Sequence, residues 1–359
     1  MRIYRHYDAL PDDARGAAVA IGNFDGVHPG HQKVIHEAGL IAGDLGRPWA
    51  VLTFEPHPRA FFTPGSEPFR LTPFRAKARR IAELGADLLI VQRFDRAFSS
   101  LPAEDFVNTV LVDGLGAGHV VSGYDFVFGH KRGGNCELLL AMGAKKGFGF
   151  TAVNAQADSS GEAYSSTRVR ERLGDADPRG AAAVLGRDFE IEGRVERGEA
   201  RGKSIGFPTA NIPLGDYLRP TLGVYAVRVA IEEAPGGAAR PGVSPGNKKS
   251  GEARTGTKKE ENEEKWLSGV ANIGVRPTFG GNGVVLEVFL FDFDDDLYGK
   301  RLRVRLIDFL RPEKKFDGVD DLKAQIASDV AKAQRILSRG AEGGRGFRGT
   351  PPVPEADRD

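Results

Sequence analysis

The chain has 359 residues, 40% hydrophobic and 28% charged, with a formal net charge of +1. That balance fits a soluble globular protein of two domains and gives no bulk electrostatic case for binding nucleic acid or a membrane surface. One cysteine, Cys136, excludes an intramolecular disulfide framework and a cysteine-based zinc site, and no apolar run reaches the roughly 20 residues of a membrane helix. The first residues carry no signal-peptide core, so a cytoplasmic enzyme or binding protein is expected, with homo-oligomerisation left open.

In chain order, strand-like runs are expected at 17–21, 49–54, 88–92, 119–122 and 150–153. Most are short, apolar and β-rich, as parallel strands buried on both faces read. Helix-like segments lie between them at 30–45, 73–84, 103–111 and 137–146. Alternating β and α segments imply an open parallel sheet with ligands beyond the carboxyl ends of its strands. The character changes after Leu185. Strands punctuated by Gly and Pro are expected at 189–195, 223–229, 269–273, 284–293 and 302–309, giving an all-β barrel. A helix over 319–337 closes it, with Leu322, Ile326, Val330 and Ala333 as its apolar stripe. The expected domains are 1–180 and 186–338.

Residues 232–265 contain Val243 as their only large aliphatic side chain and no aromatic. Such a stretch cannot bury enough apolar area to offset its ordering entropy, so a disordered surface insertion is expected there. A basic partner-binding arm fits poorly, since seven Lys and Arg are matched by seven Glu. The tail 339–359, rich in Gly, Pro and charge, is also expected to be disordered.

The stretch Gly22-Asn23-Phe24-Asp25-Gly26-Val27-His28-Pro29-Gly30-His31 joins the first strand to the first helix. Helix N-termini offer N–H groups and a positive dipole end to anions, and glycines let backbone approach a ligand. Two histidines there can donate to phosphate oxygens as charge builds. Further polar stretches lie at other strand ends: Thr53-Phe54-Glu55-Pro56-His57-Pro58, then Gly123-Tyr124-Asp125-Phe126-Val127-Phe128-Gly129 with Arg132, then Ser165-Ser166-Thr167-Arg168-Val169-Arg170. Each has a bland reading as a turn or a helix cap. Together they would converge on one cleft, where Asp125 could meet a ligand and Arg132, Ser166, Thr167 and Arg170 could meet phosphate.

In the second half, Gly202-Lys203-Ser204-Ile205-Gly206-Phe207-Pro208-Thr209-Ala210-Asn211 is not a Walker loop, because it lacks the upstream glycine and the following helix. Thr209 and Asn211 could form no more than the polar tip of a β-turn, or offer neutral oxygens of the kind that suit Mg²⁺. Strand alternation puts Val285, Glu287, Phe289, Phe291 and Phe293 on one face, so Glu287 is expected as a carboxylate tuned upward by burial, fit for a general base, with an edge-strand Glu facing water as the alternative. Asp292, Asp294, Asp295 and Asp296 read as a solvated hairpin tip rather than a metal cluster.

The order of these motifs resembles the bacterial bifunctional riboflavin kinase/FAD synthetases over residues 15–337. The resemblance implies an α/β plus all-β molecule: an N-terminal Rossmann-like nucleotidylyltransferase domain with a parallel sheet, and a C-terminal riboflavin-kinase-like β-barrel with a terminal helix. It implies phosphorylation of riboflavin by ATP with Mg²⁺, then adenylylation of FMN to FAD. His28 and His31 would then stabilise charge on ATP, with Gly22, Asn23, Phe24, Asp25, Gly26 and Asp125 in the nucleotide pocket. Ser166, Thr167 and Arg170 would hold pyrophosphate. Gly202, Gly206, Pro208, Thr209 and Asn211 would bind ATP and magnesium in the kinase, Glu287 would be its base, and Arg311 a flavin contact. Two rivals remain at this point: another His-x-Gly-His nucleotidylyltransferase, which would not need the second domain, and a non-catalytic flavin-binding regulator, which would be expected to have lost such residues.

Overall fold

Short apolar strands alternating with helices do build the expected parallel sheet in this computed structural model, which describes residues 1–197, 206–232, 265–278 and 281–342. The elements are β1 (Arg2–Arg5), β2 (Ala18–Ile21), α1 (Pro29–Leu45), β3 (Trp49–Glu55), α2 (Pro58–Phe62), α3 (Phe74–Glu83), β4 (Leu88–Arg93), α4 (Arg96–Ser99), α5 (Ala103–Asp105), β5 (His119–Gly123), α6 (Cys136–Lys146), β6 (Gly149–Val153), α7 (Ser166–Gly174) and α8 (Pro178–Leu185). The sheet runs β1-β4-β3-β2-β5-β6 with every pairing parallel. Its inner strands are buried on both faces, which explains their unbroken apolar runs. The chain leaves β2 toward β3 on one side and returns to β5 on the other. The end of β2 is therefore the switch point where open α/β sheets place their ligands.

Two features of this half differ from expectation. β1 is an edge strand of largely exposed, charged residues, so it carries no apolar signal. The helix expected at 103–111 continues from α5 as a π-helix over Phe106–Gly114, whose wider turn still sends Phe106, Val107, Val110, Leu111 and Gly114 into the core.

The second half consists of β7 (Phe189–Arg194), β8 (Ala210–Pro213), β9 (Gly223–Glu232), β10 (Leu267–Thr278), β11 (Gly281–Leu290), β12 (Arg301–Pro312) and α9 (Val319–Glu342). The antiparallel order is β7-β12-β9-β10-β11-β8, and a bridge from Glu196 to Asn211 brings β8 back to the β7 side, so the sheet curls toward closure as a barrel. The strand expected over 284–293 ends at Leu290, and the helix expected to end at 337 runs on to Glu342. Apart from Glu232, Lys265 and residues 339–342, the expected insertion and tail lie outside the described residues, as does Gly202.

The halves share a core. Leu71, Val169, Leu173, Val184 and Leu185 join Phe189, Ile191, Tyr225 and Val227 in one buried cluster. Burying each such side chain is worth about 1.5–3 kcal/mol. Arginines on α3 add ion pairs: Arg79 and Arg80 meet buried Glu190, and Arg79 also meets Glu192 at 3.0 Å.

Candidate active sites

Between β2 and α1 the backbone takes left-handed values at Phe24 (φ 49°), Gly26 (φ 89°) and Val27 (φ 47°). For a β-branched residue such as Val27 that is strained, and it persists only where the surroundings over-determine it. Side chains from α1 and from two distant segments hold the carbonyls of this turn. Lys77 Nζ donates to Asn23 O at 3.1 Å, Ser166 Oγ to Asp25 O at 2.7 Å, and Gln32 Nε2 to Val27 O at 3.0 Å. Gly22 is needed because a Cβ there would sit 2.9 Å from the Phe24 ring.

The turn presents the two histidines. His28 caps α1, and its Nδ1 accepts from His31 N–H at 3.3 Å, so the proton of the neutral ring sits on Nε2. The rings stack with centroids 3.6 Å apart. His31 Nδ1 is buried without a hydrogen-bond partner. Burial, reinforced by the Arg187 charge, lowers His28 to about 4, and burial pushes His31 well below its ordinary value. Both are therefore neutral donors at pH 7.

Below the turn lies a buried charge network. Lys77, fully buried on α3, reaches Thr53 Oγ1 at 3.1 Å and Glu55 Oε1 at 2.9 Å. Arg70 grips Glu55 through two bonds of 3.0 and 2.7 Å. Against the cost of burial, these two cations hold the Glu55 carboxyl below its usual range.

Asn23 also lines a cleft of about 1000 Å³. Its walls are aromatic: Phe54, Phe61, Phe62, Phe94, Phe98, Phe126 and Phe128, with Arg59, Arg96, Lys131 and Arg132 among the lining residues. Phe126 and Phe128 stack at 5.6 Å, and Phe61 meets Phe94 edge-on at 5.4 Å.

The structure sorts the residues expected here. Asn23 and Arg132 reach the cleft, while exposed Asp125 precedes its Phe126 wall. Thr167 is exposed on the first turn of α7, capped by Ser165. The Asp25 carboxylate is turned inward: it accepts from Leu71 N–H at 3.0 Å and Thr72 N–H at 2.9 Å, and pairs with Arg170. Arg170 also donates to Phe69 O at 2.9 Å. Asp25 and Arg170 thus brace the turn.

In the barrel, register gathers residues far apart in sequence. Asn211 on β8 lies opposite Glu287 on β11, Glu287 opposite Asn272 on β10, Asn272 opposite Val224 on β9, and Val224 opposite Arg311 on β12. Directly opposed residues share a face at about 5 Å spacing, so Asn211, Glu287, Asn272 and Val224 form one continuous row, which Arg311 meets across a register shift in β12. Phe207, just before Pro208 and Thr209, packs edge-on against Phe289 at 5.4 Å, on the face of β11 that carries Glu287. Gly206 (φ 90°) and Pro208 are exposed and Thr209 half-buried.

One expectation, the inward burial of Glu287, is corrected. The core face of β11 is Val284, Leu286, Val288 and Leu290, and Glu287 on the other face is half-buried, beside the residues that α9 covers. The reason is the curl of the barrel, which puts the aromatic face of β11 outside. The Arg311 guanidinium is committed to Asp329 of α9, with bonds of 3.1 and 2.8 Å, so in this structure its partner is protein. Beside it, the 314–317 loop and α9 enclose a cleft of about 450 Å³. Asp292, Asp294, Asp295 and Asp296 are exposed, as a solvated turn requires.

Comparison with known proteins decides the family. Residues 10–168 match the FAD synthetase family and residues 185–337 match the riboflavin kinase family. The chain is 40% identical over 325 residues to a bifunctional riboflavin kinase/FMN adenylyltransferase of Haemophilus influenzae, covering 90% of this chain and 95% of the relative. A Pseudomonas fluorescens protein of the same name is 39% identical, with 95% and 99% covered. This chain belongs to the bifunctional riboflavin kinase/FMN adenylyltransferase family. A solved structure titled as a macrolide-efflux protein from Streptococcus pneumoniae shares the fold, with a TM-score of 0.71, 28% identity, and 93% and 98% of the two chains covered. No helix among the described residues of this chain is long and apolar enough to cross a membrane.

Arg70, the aromatic cleft and Arg187 carry no local sequence signal in this family member. Lys77 carried a faint signal, a lone lysine on the inward side of an arginine-rich helix. One consequence of the buried histidines is measurable. Burial lowers His57, like His28, to about 4. The unfolded rings take up protons below about 6.5, before the folded ones do. Stability contributed by these neutral rings is full above about 6.5 and is lost as the pH falls toward 4. The thermal midpoint is expected to be level from about pH 8 to 7 and to drop between about pH 6.5 and 4.5. A level midpoint through that lower range would contradict these assignments.

Proposed function

We propose that the chain makes FAD from riboflavin in two ATP-dependent steps, the barrel producing FMN and the parallel-sheet half adenylylating it. The observation that carries this reading is the contact between turn and cleft. A nucleotidylyl turn with two neutral histidines shares Asn23 with an aromatic cleft of a size and flatness suited to an isoalloxazine ring. Arg59, Arg96, Lys131 and Arg132 suit the FMN phosphate.

In the second step an FMN phosphate oxygen attacks the α-phosphorus of ATP in line, and the bond to the bridging oxygen breaks to release pyrophosphate. Catalysis here is positioning and charge stabilisation. His28 Nε2–H and His31 donate to the phosphate oxygens. Thr167 and the N-terminus of α7 receive the pyrophosphate, and Ser166, Asp25 and Arg170 hold the turn in place.

In the first step Glu287 accepts the proton of the riboflavin 5′-hydroxyl as its oxygen attacks the γ-phosphorus and ADP leaves. The Asn211 side-chain oxygen is buried without a hydrogen-bond partner in the same row. A lone amide oxygen beside a carboxylate and Thr209 fits Mg²⁺, which supplies neutralisation of phosphate charge when bound. Arg311 shapes the flavin side by anchoring α9. The substrates are small molecules, and a cytoplasmic setting with its ATP supply suits both reactions.

The test is incubation of the chain with riboflavin, ATP and Mg²⁺, followed by chromatography. FMN and then FAD are expected in order. FMN alone would remove the adenylylation half, and FAD formed only from supplied FMN would remove the kinase half.

A further inference from the structure

We propose that Arg187, at the head of the kinase half, is a positioning residue of the adenylylation site, fixing the two carbonyls that set the turn carrying His28. The inference rests on the function proposed above. It places a residue outside the FAD synthetase match, and inside the riboflavin kinase match, in the service of the first domain's chemistry.

Its guanidinium donates through Nη2 to Gly26 O at 2.6 Å and through Nη1 to Val27 O at 3.1 Å. A third bond, 3.3 Å to Leu185 O, ties it to its own segment. A planar fork reaching two successive carbonyls fixes the peptide between them in position and orientation, which a point charge cannot do. That peptide needs fixing. Gly26 and Val27 are both left-handed, Val27 is β-branched, and His28 follows directly.

The connector supports the same turn by packing. A Cβ on Gly26 would lie 3.3 Å from Leu185 Cδ1, and one on Gly186 would lie 2.9 Å from Pro29 Cγ. Leu185, Gly186 and Arg187 therefore form one wall of the turn. The partners of Arg187 in this network are carbonyls, not carboxylates. Burial lowers it only to about 9, so it stays charged at neutral pH and adds positive potential behind His28.

The test uses the full chain and measures FAD synthesis from supplied FMN alongside riboflavin phosphorylation. Displacing His28 by a fraction of its reach lowers kcat for FAD synthesis in Arg187→Met about 10- to 100-fold. KM for ATP and FMN and the kinase rate should stay within about twofold of wild type. Arg187→Lys, which keeps the charge but can satisfy the carbonyls only in part, should fall between. FAD synthesis at the wild-type rate in Arg187→Met would overturn the proposal, and so would equal loss of both activities. If Arg187→Met does not fold, Arg187→Lys decides alone: lowered FAD kcat with an intact kinase supports the role, and an unchanged kcat removes it. No FAD from the wild-type chain would sink the functional reading, and this proposal with it.

Discussion

Replacing His28 with alanine should lower kcat for FAD synthesis by about 10²–10³ while riboflavin phosphorylation continues, because the ring supplies a preorganised donor worth about 2.7–4 kcal/mol in the transition state. The same substitution removes the cap of α1, since His28 Nδ1 accepts from His31 N–H. Cap loss alone costs about 1 kcal/mol of stability and shows in thermal unfolding rather than in kcat. His28→Asn separates the two effects. Asparagine is a strong N-cap, so this variant should recover the melting temperature but not the rate. His31→Ala should behave like His28→Ala, because the stacked rings act as a pair. Near-normal FAD synthesis in either alanine variant would remove the histidines from the chemistry.

Glu287→Gln should lower the rate of FMN formation by about 10²–10⁴, the span of a lost general base. The amide keeps the shape of the side chain and its place between Asn211 and Asn272 in the cross-strand row. FAD synthesis from supplied FMN should persist, since that chemistry belongs to the other sheet. Loss of both activities would point to a damaged fold, and an active kinase would exclude Glu287 as base. The Glu287 and His28 variants should complement each other when mixed with riboflavin, ATP and Mg²⁺, provided FMN is released between the steps.

The parts of each site that local spacing encodes were legible. His28 and His31 are three apart across a helix start, so their adjacency is a property of any helix begun there. Alternation along β11 puts Glu287 on one face with Phe289, but the barrel turns the opposite face inward, against the expected burial of Glu287. Asp25 and Arg170 are expected from their motifs as ligand contacts, and in the fold each satisfies the other and nearby backbone. Sequence cannot tell these cases apart, because a ligand phosphate and a buried carboxylate are served by the same donors.

What the sequence determined by itself was the α/β plus all-β class and the placing of His28 and His31 at a helix start. Each rests on periodicity or on motifs of a few residues. Tertiary structure alone decided that Lys77, Ser166 and Arg187 hold the turn, from segments as far as 161 residues away. It also decided that the aromatic cleft abuts Asn23, and that Asn211, Glu287 and Asn272 share one row. The physical reason is range. Backbone geometry fixes relations within a turn or along a strand, whereas strand register and the docking of one half on the other are set by burial over the whole chain. A strained turn such as 24–27 can be stable only where that long-range packing brings enough donors to its carbonyls.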